Sequence, residues 1–205
     1  MEELKEKKER LSGKERRALI LARAKKVFAH GSYAEASTSE LAKASEISEP
    51  MLYKHFGSKK GLFLSVLDEY IERFFNMWQG RLHSLEQEDP LNALAQIGLE
   101  YRSAIKADPE ILKILFQAIA ESGDAEIGQA ARRNNQKLRA FIYELLEHAK
   151  EQGKIDPNLN LEAATWVYAS LGYAMQISLM LNLDDELDEN MLVEIHRLWL
   201  KAIKP

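Results

Sequence analysis

The chain contains no cysteine, and only five prolines and ten glycines among 205 residues. Without cysteine there are no disulfides, thiolate nucleophiles or thiolate metal sites, which suits a reducing cytoplasm. Sparse proline and glycine leave helices few interruptions, and Leu, Ala, Glu and Lys abound, so the expected class is all-α. No strand signal or internal repeat competes. Met1–Ser12 (MEELKEKKERLS) has no apolar core of a secretory signal and reads as a solvated tail or a basic arm along DNA. Catalytic motifs are missing as well. No histidine lies in H-E-x-x-H, and the residues three before each histidine are Val27, Leu52, Gly80, Leu145 and Val193, so E-x-x-H fails too. There is no glycine-rich phosphate loop and no G-x-S-x-G elbow. Glu147 and His148 are helix neighbours pointing different ways, and His196 sits among apolar residues as a core or interface histidine does. The chain is therefore not expected to be an enzyme, and no catalytic residue, cofactor or metal ligand is assigned.

What is present is uneven. Residues 1–60 hold 14 Lys/Arg against 9 Asp/Glu, a net of +5; residues 61–205 hold 14 against 23, a net of −9. A basic head on an acidic body is the electrostatic outline of a DNA-binding end joined to something that does not bind DNA.

The head is organised around Ser37–Lys60, STSELAKASEISEPMLYKHFGSKK. Ser37-Thr38-Ser39-Glu40 has the form of a capping box, in which Ser37 and Glu40 serve each other's amides. Leu41, Ala42 and Ser45 share one face of the helix that follows, with Lys43 on another. Ser48 caps a second helix whose Pro50 sits in the tolerant first turn. Leu52 and Phe56 form its buried edge, leaving Glu49, Met51, Tyr53, Lys54 and His55 outward. Two short helices of this kind are a helix-turn-helix, whose second helix enters the major groove. Upstream, Ala18, Leu21, Ala22, Lys25 and Phe28 recur at helical spacing over Lys14–His30. Downstream, Ser58 caps a fourth helix expected to run from Lys59 to about Leu82.

Leu41, Ala42, Ile47, Ser48, Leu52, Tyr53, His55, Phe56, Ser58, Lys59 and Leu62 stand at the spacing of the tetracycline-repressor (TetR) family signature, which this third of the chain resembles. The departure is Ser45-Glu46, where the family usually has Ala-Gly, a glycine suited to positive φ. The resemblance implies a three-helix DNA-binding head over residues 1–60. Residues 61–205 would then be a helical ligand-binding and dimerisation bundle, about nine helices in all. It implies a homodimeric, cytoplasmic repressor on double-stranded DNA with a palindromic operator. The residues expected at DNA are Ser37, Thr38, Ser48, Glu49, Pro50, Met51, Tyr53, Lys54, His55 and Lys59. Of these, Glu49, Met51, Tyr53 and Lys54 face base edges, and Ser37, Thr38, Tyr53, His55 and Lys59 lie where phosphates are held.

The body is punctuated by helix starts. Asp89-Pro90 and Asp108-Pro109 open helices of about 90–106 and 109–121, and Gly123 precedes a long helix ended by Gly153 at about residue 152. Asn160 caps a helix to about Leu181, and Asp188 one to about Ile203. Ala163–Leu183 has 21 residues without charge, long enough for a membrane. Its acidic flanks and lack of a basic anchor favour burial in a soluble assembly instead. Leu192, Ile195, Leu198, Trp199 and Ala202 add an apolar stripe, and the last two helices are expected to build the dimer interface. A small, largely apolar effector is expected between the helices, against Tyr70, Phe74, Met77, Trp78, Tyr101, Phe116, Phe141, Trp166 and Tyr173. The competing reading is a protein-interaction module tethered to DNA, which no small molecule would release.

Overall fold

The computed structural model describes residues 12–204, with side chains for all of these except residues 79–88. The Met1–Ser12 arm lies outside this range but for Ser12. Among the described residues there are nine helices and no strand: α1 (Gly13–His30), α2 (Thr38–Ala44), α3 (Glu49–Phe56), α4 (Lys59–Glu88), α5 (Pro90–Ala107), α6 (Pro109–Ala120), α7 (Ala125–Glu151), α8 (Leu161–Met180) and α9 (Glu189–Ile203). They form two compact units that divide between Val66 and Leu67.

Local chemistry sets most of these boundaries. Ser12 and Glu15 make a full capping box at the start of α1. Ser37, Ser48, Asp89, Asp124, Asn160 and Asp188 each accept a first-turn amide of the helix they precede. The box predicted at Ser37 forms by its first half, Ser37 Oγ accepting from the Glu40 N–H at 3.1 Å. Ser58 caps α4 through the Gly61 N–H at 2.9 Å. Two expectations need correcting. α4 runs to Glu88 rather than ending near Leu82, because nothing breaks the backbone before Asp89-Pro90. In α1 the core face is Ile20, Leu21, Ala24, Phe28 and Ala29, while Ala18 and Ala22 are exposed. Burying Ile20 removes more apolar area from water than burying a small alanine, so the helix is turned toward it.

In the first unit Phe28, Tyr33 and Phe63 form an aromatic knot, with Phe28 and Phe63 edge to face at 5.2 Å. Leu41, Ala42, Ser45, Leu52, Phe56 and Leu62 are buried, as the helix-turn-helix pattern requires. The Arg17 guanidinium lies 4.8 Å over the Phe56 ring and donates to Ser65 Oγ at 3.2 Å. In the second unit one core gathers Phe74, Trp78, Leu94, Ile97, Ile142, Leu145, Leu146, Tyr168, Ala169, Trp199 and Ile203. The stripe expected on α9 splits. Trp199 enters the core with Ile203, while Leu198 and Ala202 stay outside and Leu192 and Ile195 are half-buried.

Candidate DNA-reading head and bundle cavity

The turn between α2 and α3 carries the departure seen in the sequence. The Glu46 N–H donates to Lys43 O at 3.1 Å and the Ile47 N–H to Ala42 O at 3.0 Å, with Glu46 at φ 54°. These two bonds around a left-handed residue make a Schellman motif, in which glycine is the usual occupant. Losing the glycine therefore did not change the turn; Glu46 adopts the glycine conformation. Its carboxylate is 3.0 Å from Arg23 Nη1 on α1. A left-handed non-glycine residue costs about 1–2 kcal/mol, whereas glycine loosens the unfolded chain by about 0.4–1 kcal/mol and an exposed ion pair is worth about 0–1 kcal/mol. Glu46→Gly is thus expected to change the stability of the head by no more than about 1–1.5 kcal/mol in either direction. Glu46→Val loses about 1 kcal/mol or more and is the less stable of the two. Urea unfolding of the two variants checks the order; a Val variant as stable as Gly would contradict it.

On α3, Tyr53, Lys54 and His55 are exposed, Glu49 and Met51 are half-buried, and Ser48 and Pro50 stand exposed at the helix start. The Thr38 hydroxyl donates to Glu49 Oε2 at 3.0 Å, tying the two short helices together. Ser37 is exposed at the α2 cap. Lys59 is turned back on its own unit: Nζ donates to Tyr33 O at 2.8 Å and Ala34 O at 3.2 Å, and sits 4.7 Å from the Tyr33 ring centroid. The charge expected near phosphate also closes the link between α1 and α2.

The second unit encloses a cavity of about 200 Å³. Of the nine residues expected to face it, Tyr70, Phe74, Trp78, Tyr101 and Tyr173 line it and four do not. Met77 and Trp166 are exposed, and the Trp166 ring is covered by the Arg139 guanidinium at 4.0 Å. Phe141 stands behind the wall, 6.0 Å from Trp78 and 6.4 Å from Phe75. Phe116 is half-buried outside the wall. Arg102, a natural polar candidate, is also elsewhere: it is buried and holds the segment between α8 and α9 through Asp184 O at 3.2 Å and Glu189 Oε1 at 3.6 Å.

The wall includes residues that helical spacing on α4 did not reach. Tyr168 donates its hydroxyl to Leu94 O, bridging α8 to α5. Tyr173 donates to Asn135 Oδ1 on α7, and Gln176 Nε2 donates to the Tyr101 hydroxyl. Burial pushes the pKa of Tyr70, Tyr101, Tyr168 and Tyr173 above the ordinary tyrosine value. Burial lowers that of His196, which also lines the cavity. Asn134 and Gln176 are among the polar residues the sequence offers for a ligand, whereas Asn135 carries only the signal of a weak helix former in the otherwise helix-favouring α7.

A helix-turn-helix with an outward polar helix, joined to a helical bundle holding an apolar cavity, defines a DNA-binding transcriptional regulator. Residues 20–66 match the model for "Bacterial regulatory proteins, tetR family". The HTH-type transcriptional regulator EthR of Mycolicibacterium smegmatis is 28% identical over 200 residues, 95% of this chain and 88% of that protein. The uncharacterized HTH-type transcriptional regulator YezE of Bacillus subtilis is 31% identical over 143 residues, 68% of this chain and 72% of the relative. The fold is shared with the transcriptional regulator FadR of Bacillus subtilis, solved in complex with stearoyl-CoA. That likeness has a TM-score of 0.74 at 16% identity and covers 90% of this chain and 95% of the other. The chain belongs to the tetR family. Its relatives are regulators, not enzymes, and no helix among the described residues is long and apolar enough to cross a membrane.

Proposed function

We propose that the protein is a homodimeric repressor that leaves a palindromic operator when a small, largely apolar molecule fills the bundle cavity. The observation that carries this reading is the cavity itself. Its wall takes Leu67, Tyr70, Ile71, Phe74, Phe75 and Trp78 from α4, the helix whose first turns, from Lys59, belong to the head. A ligand that favours one placement of α4 would act on DNA affinity through that helix. FadR of Bacillus subtilis, solved with stearoyl-CoA, supports a ligand-binding role for such a bundle.

In this reading residues 1–60 hold DNA and residues 61–205 bind ligand and dimerise. Glu49, Met51, Tyr53 and Lys54 meet base edges, with Ser48 and Pro50 setting the start of their helix. Ser37, Thr38, His55 and Lys59 stand at phosphates. The apolar surface left open on α8 and α9 is the dimer face. A dimer then reads two half-sites about 34–36 Å apart, one turn of DNA.

The test is linkage. A ligand taken from a thermal-shift screen is titrated with and without operator obtained by sequence selection. Coupling of about 1–3 kcal/mol is expected, so that DNA weakens the ligand about 5–150-fold and the ligand weakens DNA by the same factor. Equal ligand affinity in the two titrations rules out the switch, however tight the binding.

A further inference from the structure

We infer that the effector is an uncharged, mainly hydrocarbon molecule whose hydrogen-bond acceptor, such as an ester or lactone carbonyl, is held by the Tyr70 hydroxyl. The inference rests on the ligand-responsive reading above and narrows its chemistry.

Among the described residues the cavity wall contains no Asp, Glu, Lys or Arg. A carboxylate or phosphate placed inside would meet no cation in the wall, and burying an unpaired charge is costly. Arg73 and Arg139, whose charges act on the Tyr70 and Tyr173 hydroxyls, lie outside it, Arg73 facing Asp108 at 4.0 Å and Arg139 over the Trp166 ring. The hydrogen-bonding groups of the wall divide into two sets. Tyr101 with Gln176, Tyr173 with Asn135, and Tyr168 with the Leu94 carbonyl satisfy one another. The Tyr70 hydroxyl, Trp78 Nε1, Asn134 Nδ2 and His196 Nε2 are buried without a partner. The indole and amide nitrogens only donate, and a tyrosine hydroxyl can donate. Neutral His196, bonded to the Leu91 backbone through its other ring nitrogen, leaves Nε2 as an acceptor, so donors outnumber acceptors in this set. Buried donors without acceptors are exceptions in folded proteins, and each lowers stability until an acceptor arrives.

Tyr70 is the better placed of the two unsatisfied donors on α4. It lies beside the polar cluster: Tyr70 stacks on the Phe74 ring at 6.2 Å, and Tyr101 meets the same ring edge-on at 5.0 Å. Trp78 instead sits in an aromatic nest, 4.0 Å from the Phe74 ring and 6.0 Å from Phe141. Eight residues separate the two, about 12 Å along the helix. A carbonyl at Tyr70 therefore leaves a hydrocarbon tail against Phe74 and Trp78.

The experiment uses the full chain and N-phenyl-1-naphthylamine, a neutral fluorescent probe without a carbonyl, displaced at pH 8 by methyl decanoate or by decanoate. The ester is expected to compete at concentrations about tenfold or more below the carboxylate. Tyr70→Phe should weaken the ester about five- to tenfold relative to the probe, each measured on the same variant. The same variant should raise the unliganded melting temperature by about 3 °C, because it removes an unsatisfied hydroxyl. Decanoate competing as well as the ester, or an ester indifferent to Tyr70→Phe, overturns the inference while leaving a ligand cavity in place. A probe that does not bind at all, with no effect of either competitor on melting, overturns the ligand-responsive reading itself.

Discussion

Gly61→Ala is expected to unfold the head while a glycine replaced elsewhere by the same methyl group does no harm. A Cβ at residue 61 would lie 2.0 Å from Phe56 O and 3.2 Å from Phe56 C. Both are backbone atoms, at the corner where α3 hands over to α4, so no rotamer change relieves the clash. The corner is fixed on either side: the Gly61 N–H is bonded to Ser58 Oγ, and the Gly57 N–H to Tyr53 O at 2.8 Å with Gly57 at φ 75°. Separating the two helices exposes Leu52, Phe56 and Leu62. The cost is about 3 kcal/mol or more, comparable to the whole stability of a unit this small. Gly13 offers the control, because nothing lies within 4 Å of its added Cβ and it opens α1. Gly13→Ala should be neutral or gain up to about 1 kcal/mol from helix propensity. Thermal unfolding should show the head transition of Gly61→Ala lowered by about 12 °C or more, with binding to DNA lost. A Gly61→Ala protein that melts and binds like the wild type would mean that the α3–α4 corner has slack its geometry does not suggest.

The second large effect is expected at the α8–α9 surface. Val167 is 52% exposed, Ile177 49%, Leu181 60% and Leu198 58%, and Trp166, Met191 and Val193 join them. Large apolar side chains left exposed on these two helices mark an interface, and the proposed dimer covers them. Two-fold symmetry doubles the effect of any substitution near the axis, since each copy brings its own. Ile177→Glu would bury carboxylates with no cation designed to meet them. Dimerisation should weaken by on the order of 3–5 kcal/mol, roughly 150- to 5,000-fold, and cooperative binding to a palindrome should go with it. Sedimentation should find the variant near the 23.4 kDa of one chain and the wild type near twice that. An Ile177→Glu protein that sediments as a dimer would move the interface elsewhere. A monomeric wild type at micromolar concentration would remove the dimer altogether.

Signals that act over a few residues were legible in the sequence. Caps at Ser48, Asp89, Asn160 and Asp188 and the left-handed stop at Gly153 depend on chemistry within one turn, and the helices begin and end there. The buried edge of α3, Leu52 and Phe56, followed from two residues four apart. Choices between faces were less legible, because the neighbouring helices make them. On α4 the cavity stripe is centred near Leu67, Phe74 and Trp78. At about 100° per residue Met77 falls beyond Tyr70 at its edge, and Ile71 and Phe75 line the other side. Trp166 lies seven residues before Tyr173, on the same face of α8 but two turns nearer its start, where it meets Arg139 and not the cavity. Glu46 illustrates a different limit. A residue type reports what a backbone prefers, while the two turn bonds and the Arg23 contact determine what it adopts.

The charge-free cavity also bears on protons. Among its described wall residues only His196 and the tyrosines titrate near neutrality or above, and burial moves both kinds toward the neutral form. The imidazole is held below its ordinary value of about 6.5 and the phenols above theirs of about 10. Between those limits no wall group changes charge, and an uncharged guest brings no titratable group of its own. Filling the cavity therefore neither takes up nor releases a proton, so the affinity for such a guest stays level across roughly pH 6.5–10. Under the proposed reading, the protein would respond to how much of such a molecule is present and ignore the acidity of the solution around it.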